Sequence, residues 1–165
     1  MKKLIFVRHG KAEDPTSDIS DFERSLTLKG KSVSKKMAGK LREVEKKPGI
    51  MITSPAFRAL ETAYIFAEEF NIPYEKIIIN SNLYNKMSIH YLSEFLSLTS
   101  DDIETITLFG HNPSFTDIAD NLCKGDCGFM PKCGVIGLSF NINKWSDIKL
   151  NTGKMEYFLK PEKTL

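Results

Sequence analysis

Apolar residues along this chain fall into two alternating patterns, short continuous runs and longer stretches at helical spacing. Leu4-Ile5-Phe6-Val7, Ile50-Met51-Ile52-Thr53 and Thr105-Ile106-Thr107-Leu108-Phe109-Gly110 are short and rich in β-branched or aromatic residues, as buried strands are. Val33, Met37 and Leu41 mark one face of a helix from Gly30 to about Glu45. Leu60, Ala63, Tyr64 and Ala67 mark a second from Pro55 to Phe70, and further helices are predicted over Met87–Leu98 and Pro113–Leu122. The tail carries three more apolar segments, Val135–Phe140, Asp147–Leu150 and Met155–Leu159, which read as strands finishing one edge of a sheet, with Trp145 packed against that edge. Strands alternating with helices predict an α/β fold, a three-layer α-β-α sandwich with a mostly parallel central sheet and a pocket at the carboxyl ends of its strands.

With 165 residues, 41% of them hydrophobic, and no Pro/Ser/Gly-rich linker or internal repeat, residues 1–165 are expected to form a single domain. Twenty-three basic and 21 acidic residues give a net charge of +2, which offers no reason to expect nucleic acid or an anionic membrane as partner. Met1-Lys2-Lys3 precedes only four apolar residues, too few for a signal-peptide core, so the cytoplasm is the expected location. Cys123, Cys127 and Cys133 are odd in number and lack C-x-x-C spacing; free thiols are expected rather than a disulfide framework or a zinc site.

The polar residues that interrupt these elements carry the chemistry. Arg8-His9-Gly10 stands where the first strand ends, and the glycine lets the backbone turn tightly beneath a ligand. Ser54-Pro55 suit the N-cap and first position of the second helix, which places Arg58 in its first turn, where the helix dipole and free N–H groups attract anions. The pattern recurs at Gly110-His111-Asn112-Pro113. Singly, each has a bland reading as a packed histidine or a solvated helix arginine. Together, two histidines and two arginines at strand exits or a helix start supply a nucleophile and several charge-stabilising donors for a phosphoryl group.

At these residues the chain resembles the histidine phosphatase superfamily, the phosphoglycerate mutase-like fold, whose signature is Arg-His-Gly plus a later Arg and a second His: here Arg8, His9, Arg58 and His111. It is most similar to the small SixA-type phosphohistidine phosphatases. The motifs are Val7-Arg8-His9-Gly10-Lys11-Ala12, Arg24-Ser25-Leu26-Thr27-Leu28-Lys29-Gly30, Thr53-Ser54-Pro55-Ala56-Phe57-Arg58-Ala59 and Gly110-His111-Asn112-Pro113. The resemblance implies that neutral His9 attacks phosphorus in line and forms a phosphohistidine intermediate, with Arg8, Arg58 and His111 stabilising the equatorial oxygens and no metal or cofactor required. One ring nitrogen of His9 must be free, so the other should donate to a fixed acceptor such as a backbone carbonyl. Arg24 is either a further phosphate or substrate contact or half of a structural ion pair.

The chain departs from the family at two places. Many members carry a proton-donating carboxylate where this chain reads Asn80-Ser81-Asn82-Leu83-Tyr84-Asn85, without an acid. An alkoxide needs that proton, whereas imidazole, with a pKa of about 6.5, departs from phosphorus through its ring nitrogen far more easily. The missing acid thus favours a phosphoramidate or another activated substrate, and the expected partner is a phosphohistidine-containing protein or a small phosphorylated substrate. Glu13, Asp14 and His90 remain as alternative proton donors, and a bland surface role is the simpler reading of His90. Met130-Pro131-Lys132-Cys133-Gly134 replaces a small hydroxyl residue at the substrate rim. Two other functions stay open: a broad phosphomonoesterase or mutase-like enzyme acting on small metabolites, and a module that binds phosphoprotein without turnover. Short connections suggest an open, shallow site, and the chain is compatible with a monomer.

Overall fold

The computed structural model describes residues 1–124 and 127–163. Strands β1 (Lys2–Arg8), β2 (Ile50–Thr53), β3 (Ile78–Ile79), β4 (Thr105–Gly110), β5 (Val135–Phe140) and β6 (Lys154–Leu159) form one sheet in the order β3-β2-β4-β1-β5-β6. Helices α1 (Leu28–Val44), α2 (Phe57–Glu69), α3 (Ile89–Ser97) and α4 (Ser114–Leu122) connect them. β3, β2, β4 and β1 run parallel, and β5 and β6 join antiparallel.

The runs of the first strands are continuous because both faces are covered. Leu4 and Phe6 pack with Ile106, Leu108 and residues of α3 and α4; Ile5 and Val7, pointing the other way, pack with Met51, Phe109 and residues of α1 and α2. Phe66 of α2 is fully buried against Phe109 with ring centroids 5.4 Å apart, and Phe66→Ala is expected to cost about 3–5 kcal/mol.

Register then lines up the chemistry. Val7 pairs with Phe109 and Arg8 with Gly110, while Thr53 also pairs with Phe109, so three strands end level. His9 N–H donates to Gly110 O (3.0 Å) and Ser54 N–H to Phe109 O (3.0 Å), extending the pairing one residue past each strand. α1 closes on this edge because Gly10 and Gly30 have no side chain: a Cβ on Gly10 would crowd Ser34, and one on Gly30 would collide with the Lys11 carbonyl.

Several expectations are corrected. Asp147–Leu150 is no strand: Trp145–Asp147 is a 3₁₀ turn, because Trp145 is drawn into the core, its backbone N–H donating to Asp101 Oδ1 (2.9 Å) and its ring N–H to Ile103 O (2.9 Å). Trp145 is fully buried in the core cluster that joins α3 and α4 to Leu138 and Phe140 of β5, with Phe158 of β6 packed against it. α1 begins two residues early, at Leu28, because Thr27 Oγ1 accepts from Gly30 N–H (2.9 Å) and caps it. α2 begins late, at Phe57, with Ala56 as N-cap, so Ser54 is not the cap residue. The Cys123 and Cys127 sulfurs are in contact, with their Cα atoms 7.2 Å apart, and Cys133 is a buried free thiol. Asp120 Oδ1 accepts N–H bonds from Cys127 (2.9 Å) and Gly128 (3.3 Å), which holds Cys127 near the end of α4, where Cys123 sits. No helix among the described residues is long and apolar enough to cross a membrane.

Candidate active site

β1 delivers Arg8 and His9, the end of β2 delivers Ser54, the first turn of α2 delivers Arg58 and the exit of β4 delivers His111. The His9 and His111 ring centroids are 5.0 Å apart, inclined at 55°. His9 is 8% and Arg58 7% exposed, so only a small part of each side chain meets solvent.

His9 Nδ1 lies 2.7 Å from the Gly10 carbonyl oxygen. A carbonyl can only accept, so Nδ1 carries the proton and the lone pair sits on Nε2. Burial, reinforced by His111, Arg58 and Arg8, outweighs that bond to Gly10 and lowers the His9 pKa to about 3. The ring is thus neutral at pH 7, the state a nucleophile needs. Burial and the Arg58 charge likewise hold His111 at about 4. His111 Nε2 lies 2.8 Å from Ser54 Oγ, leaving Nδ1 for a ligand.

Arg8 is fixed from behind. Its Nη1 donates to Met130 O (2.8 Å), its backbone N–H to Gly134 O (3.1 Å), and the exposed ring of Phe129 lies 5.4 Å from its guanidinium carbon. Arg8 Nε is buried without a partner. Cys133 N–H donates to His9 O (3.0 Å), and Asn112 Nδ2 shares the Met130 carbonyl (3.0 Å). The segment expected at the substrate rim therefore brackets Arg8 and His9 from beneath; Met130 is fully buried.

Arg58 is fixed from the opposite side. Its Nη1 donates to Asp21 O (2.7 Å) and its Nη2 to Asp21 Oδ2 (3.0 Å). Asp21 also accepts from Arg24 Nη1 (2.8 Å) and the Tyr84 hydroxyl (3.0 Å). Burial would raise the Asp21 pKa, but these donors, Arg24, Arg58 and Tyr84, overcome it and bring it down to about 2. Arg24 thus forms the ion pair of its two readings, with Nε held by Glu13 O (2.7 Å). His90 is exposed on α3, and the Glu13 and Asp14 side chains are exposed in the loop after β1. Asn82 is turned away, its Nδ2 donating to the Tyr91 hydroxyl (2.8 Å).

Reading by motif passed over three contributors, Asp21, Tyr84 and the hydroxyl of Ser54. Asp21 stands three residues before Arg24, a spacing that signals a local ion pair, and Ser54 follows a strand as Arg8 and His111 do. Nothing in the sequence marks Tyr84. Away from this site, Asp120, Cys123 and Cys127 each offer a ligand atom within 4.8 Å of the others, although the two sulfurs are taken up with each other. A cavity of about 380 Å³ beside α1, lined by Lys29, Val33, Lys36 and Met37 among others, holds no histidine or arginine.

Residues 4–79 match the model of the histidine phosphatase superfamily, branch 1. An uncharacterized protein from Picosynechococcus sp. is 30% identical over 141 residues, 82% of this chain and 84% of that one. The chain belongs to the histidine phosphatase superfamily. The fold of this histidine phosphatase is shared with a protein assigned as the phosphohistidine phosphatase SixA of Agrobacterium tumefaciens (TM-score 0.80, 23% identity, 97% of this chain and 98% of that one). It is shared also with a protein histidine phosphatase SixA complexed with tungstate (TM-score 0.79, 22% identity, 96% and 97%). A mycobacterial glucosyl-3-phosphoglycerate phosphatase has the same fold more distantly (TM-score 0.66, 13% identity, 94% and 97%). The chain thus has the phosphoglycerate mutase-like α/β fold.

Proposed function

We propose that this histidine phosphatase hydrolyses phosphohistidine carried on a protein, in the manner of the SixA-type branch, with His9 as nucleophile. The observation that carries the reading is the 2.7 Å contact of His9 Nδ1 with the Gly10 carbonyl, which leaves Nε2 unprotonated. Nε2 attacks phosphorus, the P–N bond of the substrate breaks, and its electron pair goes to the departing ring nitrogen. When the other nitrogen of that ring is protonated, neutral imidazole leaves without a general acid. Water then attacks the phosphohistidine on His9, releasing inorganic phosphate and the neutral ring.

Arg8 and Arg58 supply the positive charge for the equatorial oxygens, and His111 Nδ1–H a further donor, oriented by Ser54. Since the two guanidiniums supply that charge, the reaction is assigned no metal, and its rate is expected to be the same with and without EDTA. The absence of a carboxylate at Asn82 supports the choice of substrate, because Asp21, the acid beside Arg58, is ionised and serves as an acceptor. Tungstate, a tetrahedral oxyanion, binds a SixA of this fold, in keeping with a phosphoryl site.

The experiment is phosphate release from a phosphohistidine-bearing protein and from an alkyl phosphate, side by side. Fast loss from the protein and slow loss from the ester are expected, with His9→Ala at least about 1000-fold slower on the protein. The reverse preference would move the enzyme to small metabolites, and no turnover of either would make it a binding module.

A further inference from the structure

A row of aromatic rings runs outward from the nucleophile. Beyond His9 and His111, the His111 and Tyr84 centroids are 5.8 Å apart, Tyr84 and Phe22 5.3 Å, and Phe22 and Phe57 5.8 Å, each pair edge to face. Tyr84 and Phe22 are half-buried and Phe57 is 40% exposed. None of the three belongs to either hydrophobic cluster that packs the sheet, so core packing does not account for them.

Their placement follows the anion-binding residues. Phe22 adjoins Asp21 in its 3₁₀ turn, Phe57 precedes Arg58, and the Tyr84 hydroxyl is tied to the Asp21 carboxylate (3.0 Å). The contacts that set the Arg58 guanidinium thus also set a partly solvated aromatic wall, joined to His9 by the ring contacts of His111. Such a wall contributes by edge-to-face and stacking contacts with a flat ring and offers little to a flexible alkyl chain.

We propose that Phe22, Tyr84 and Phe57 form a leaving-group subsite for a flat aromatic heterocycle, which, resting on the phosphohistidine reading, is the imidazole ring of the substrate. The ring selects for its own departure. Discrimination against substrates without a ring then arises from wall contacts as well as from the chemistry of the P–N bond.

The test is the ratio of kcat/KM for phosphoimidazole to that for phosphoramidate, two P–N compounds that differ in the ring. In Phe22→Leu and Tyr84→Leu this ratio is expected to fall about three- to ten-fold, the worth of one aromatic contact. Tyr84→Phe keeps the ring and is expected to keep the ratio. Thermal melts show which variants are folded at the assay temperature, and Phe57→Leu replaces any that is not. An unchanged ratio in the leucine variants, or an equal fall in Tyr84→Phe, overturns the proposal. If the wild type hydrolyses esters and neither P–N compound, the phosphohistidine reading fails by itself. The ratio of phenyl phosphate to ethyl phosphate turnover in the same variants then decides the subsite.

Discussion

The floor and the wall of the site are built differently. On the floor, His9, Arg8 and the neighbouring chain are held by backbone groups: the carbonyls of Gly10, Met130, Gly134 and Gly110, supplied by level strand ends and one bracket segment. On the wall, Arg58, Arg24 and Tyr84 converge on one exposed carboxylate, Asp21, and are held mostly side chain to side chain. Backbone acceptors in a buried sheet edge cannot rotate away, so the nucleophile is set before substrate arrives. The exposed node is weaker and adjustable, which suits residues that meet the variable part of a substrate.

The comparison breaks most sharply at the two arginines. Arg8→Ala and Arg58→Ala each remove a charge from the transition state and are expected to lower kcat/KM by about 100- to 1000-fold. Steady-state kinetics on a phosphohistidine protein checks this, and a loss under about five-fold in either would remove that arginine from the transition state.

Next in size is a pH effect confined to the floor. His9 and His111 titrate at about 3 and about 4 when folded, below the usual 6.5. Between those values the unfolded chain binds more protons, so stability rises with pH through this window and is lost as pH falls. From pH 7 to pH 5 the loss is expected to be roughly 2 kcal/mol for each histidine. Urea unfolding of the wild type and of His9→Asn measures it, and the variant should lose the smaller amount.

Asp21→Asn sharpens the contrast from the other side. It keeps an acceptor for Arg58 and Tyr84 but removes the charge, and kcat/KM is expected to fall about ten-fold with melting temperature nearly unchanged, since the carboxylate is exposed. Asp21→Ala should lose more, and equality of the two variants would mean that the charge alone acts. Smallest is Arg24→Ala, which removes one of several donors to Asp21 and is expected to cost about two-fold. A 100-fold loss there would restore Arg24 as a direct phosphate contact.

Much of the floor was legible in the chain. Buried parallel strands must be continuously apolar, so Leu4–Val7 and Thr105–Phe109 announced themselves, and the polar residues ending them, Arg8, His9 and His111, stood out for that reason. The short strand Ile78–Ile79 was missed because two exposed residues give no period. Asp147–Leu150 misled because its strand-like apolar alternation could not show that Trp145 would pull the segment into the core. The spacing of Cys123 and Cys127 likewise gave no sign that Asp120 holds Cys127 near the end of α4.

The alternation of strands and helices, the mostly parallel sheet and the placement of Arg8, His9, Arg58 and His111 near its carboxyl edge follow from local periodicity and from where a strand stops. The hydrogen-bond partners of His9, Ser54, Met130 and Tyr84, and the ion pair of Arg24 with Asp21, come from the folded chain. Each of these depends on which acceptor a donor meets across 30 or more residues, or within a loop whose path has no repeating pattern, and the folded chain alone sets those distances.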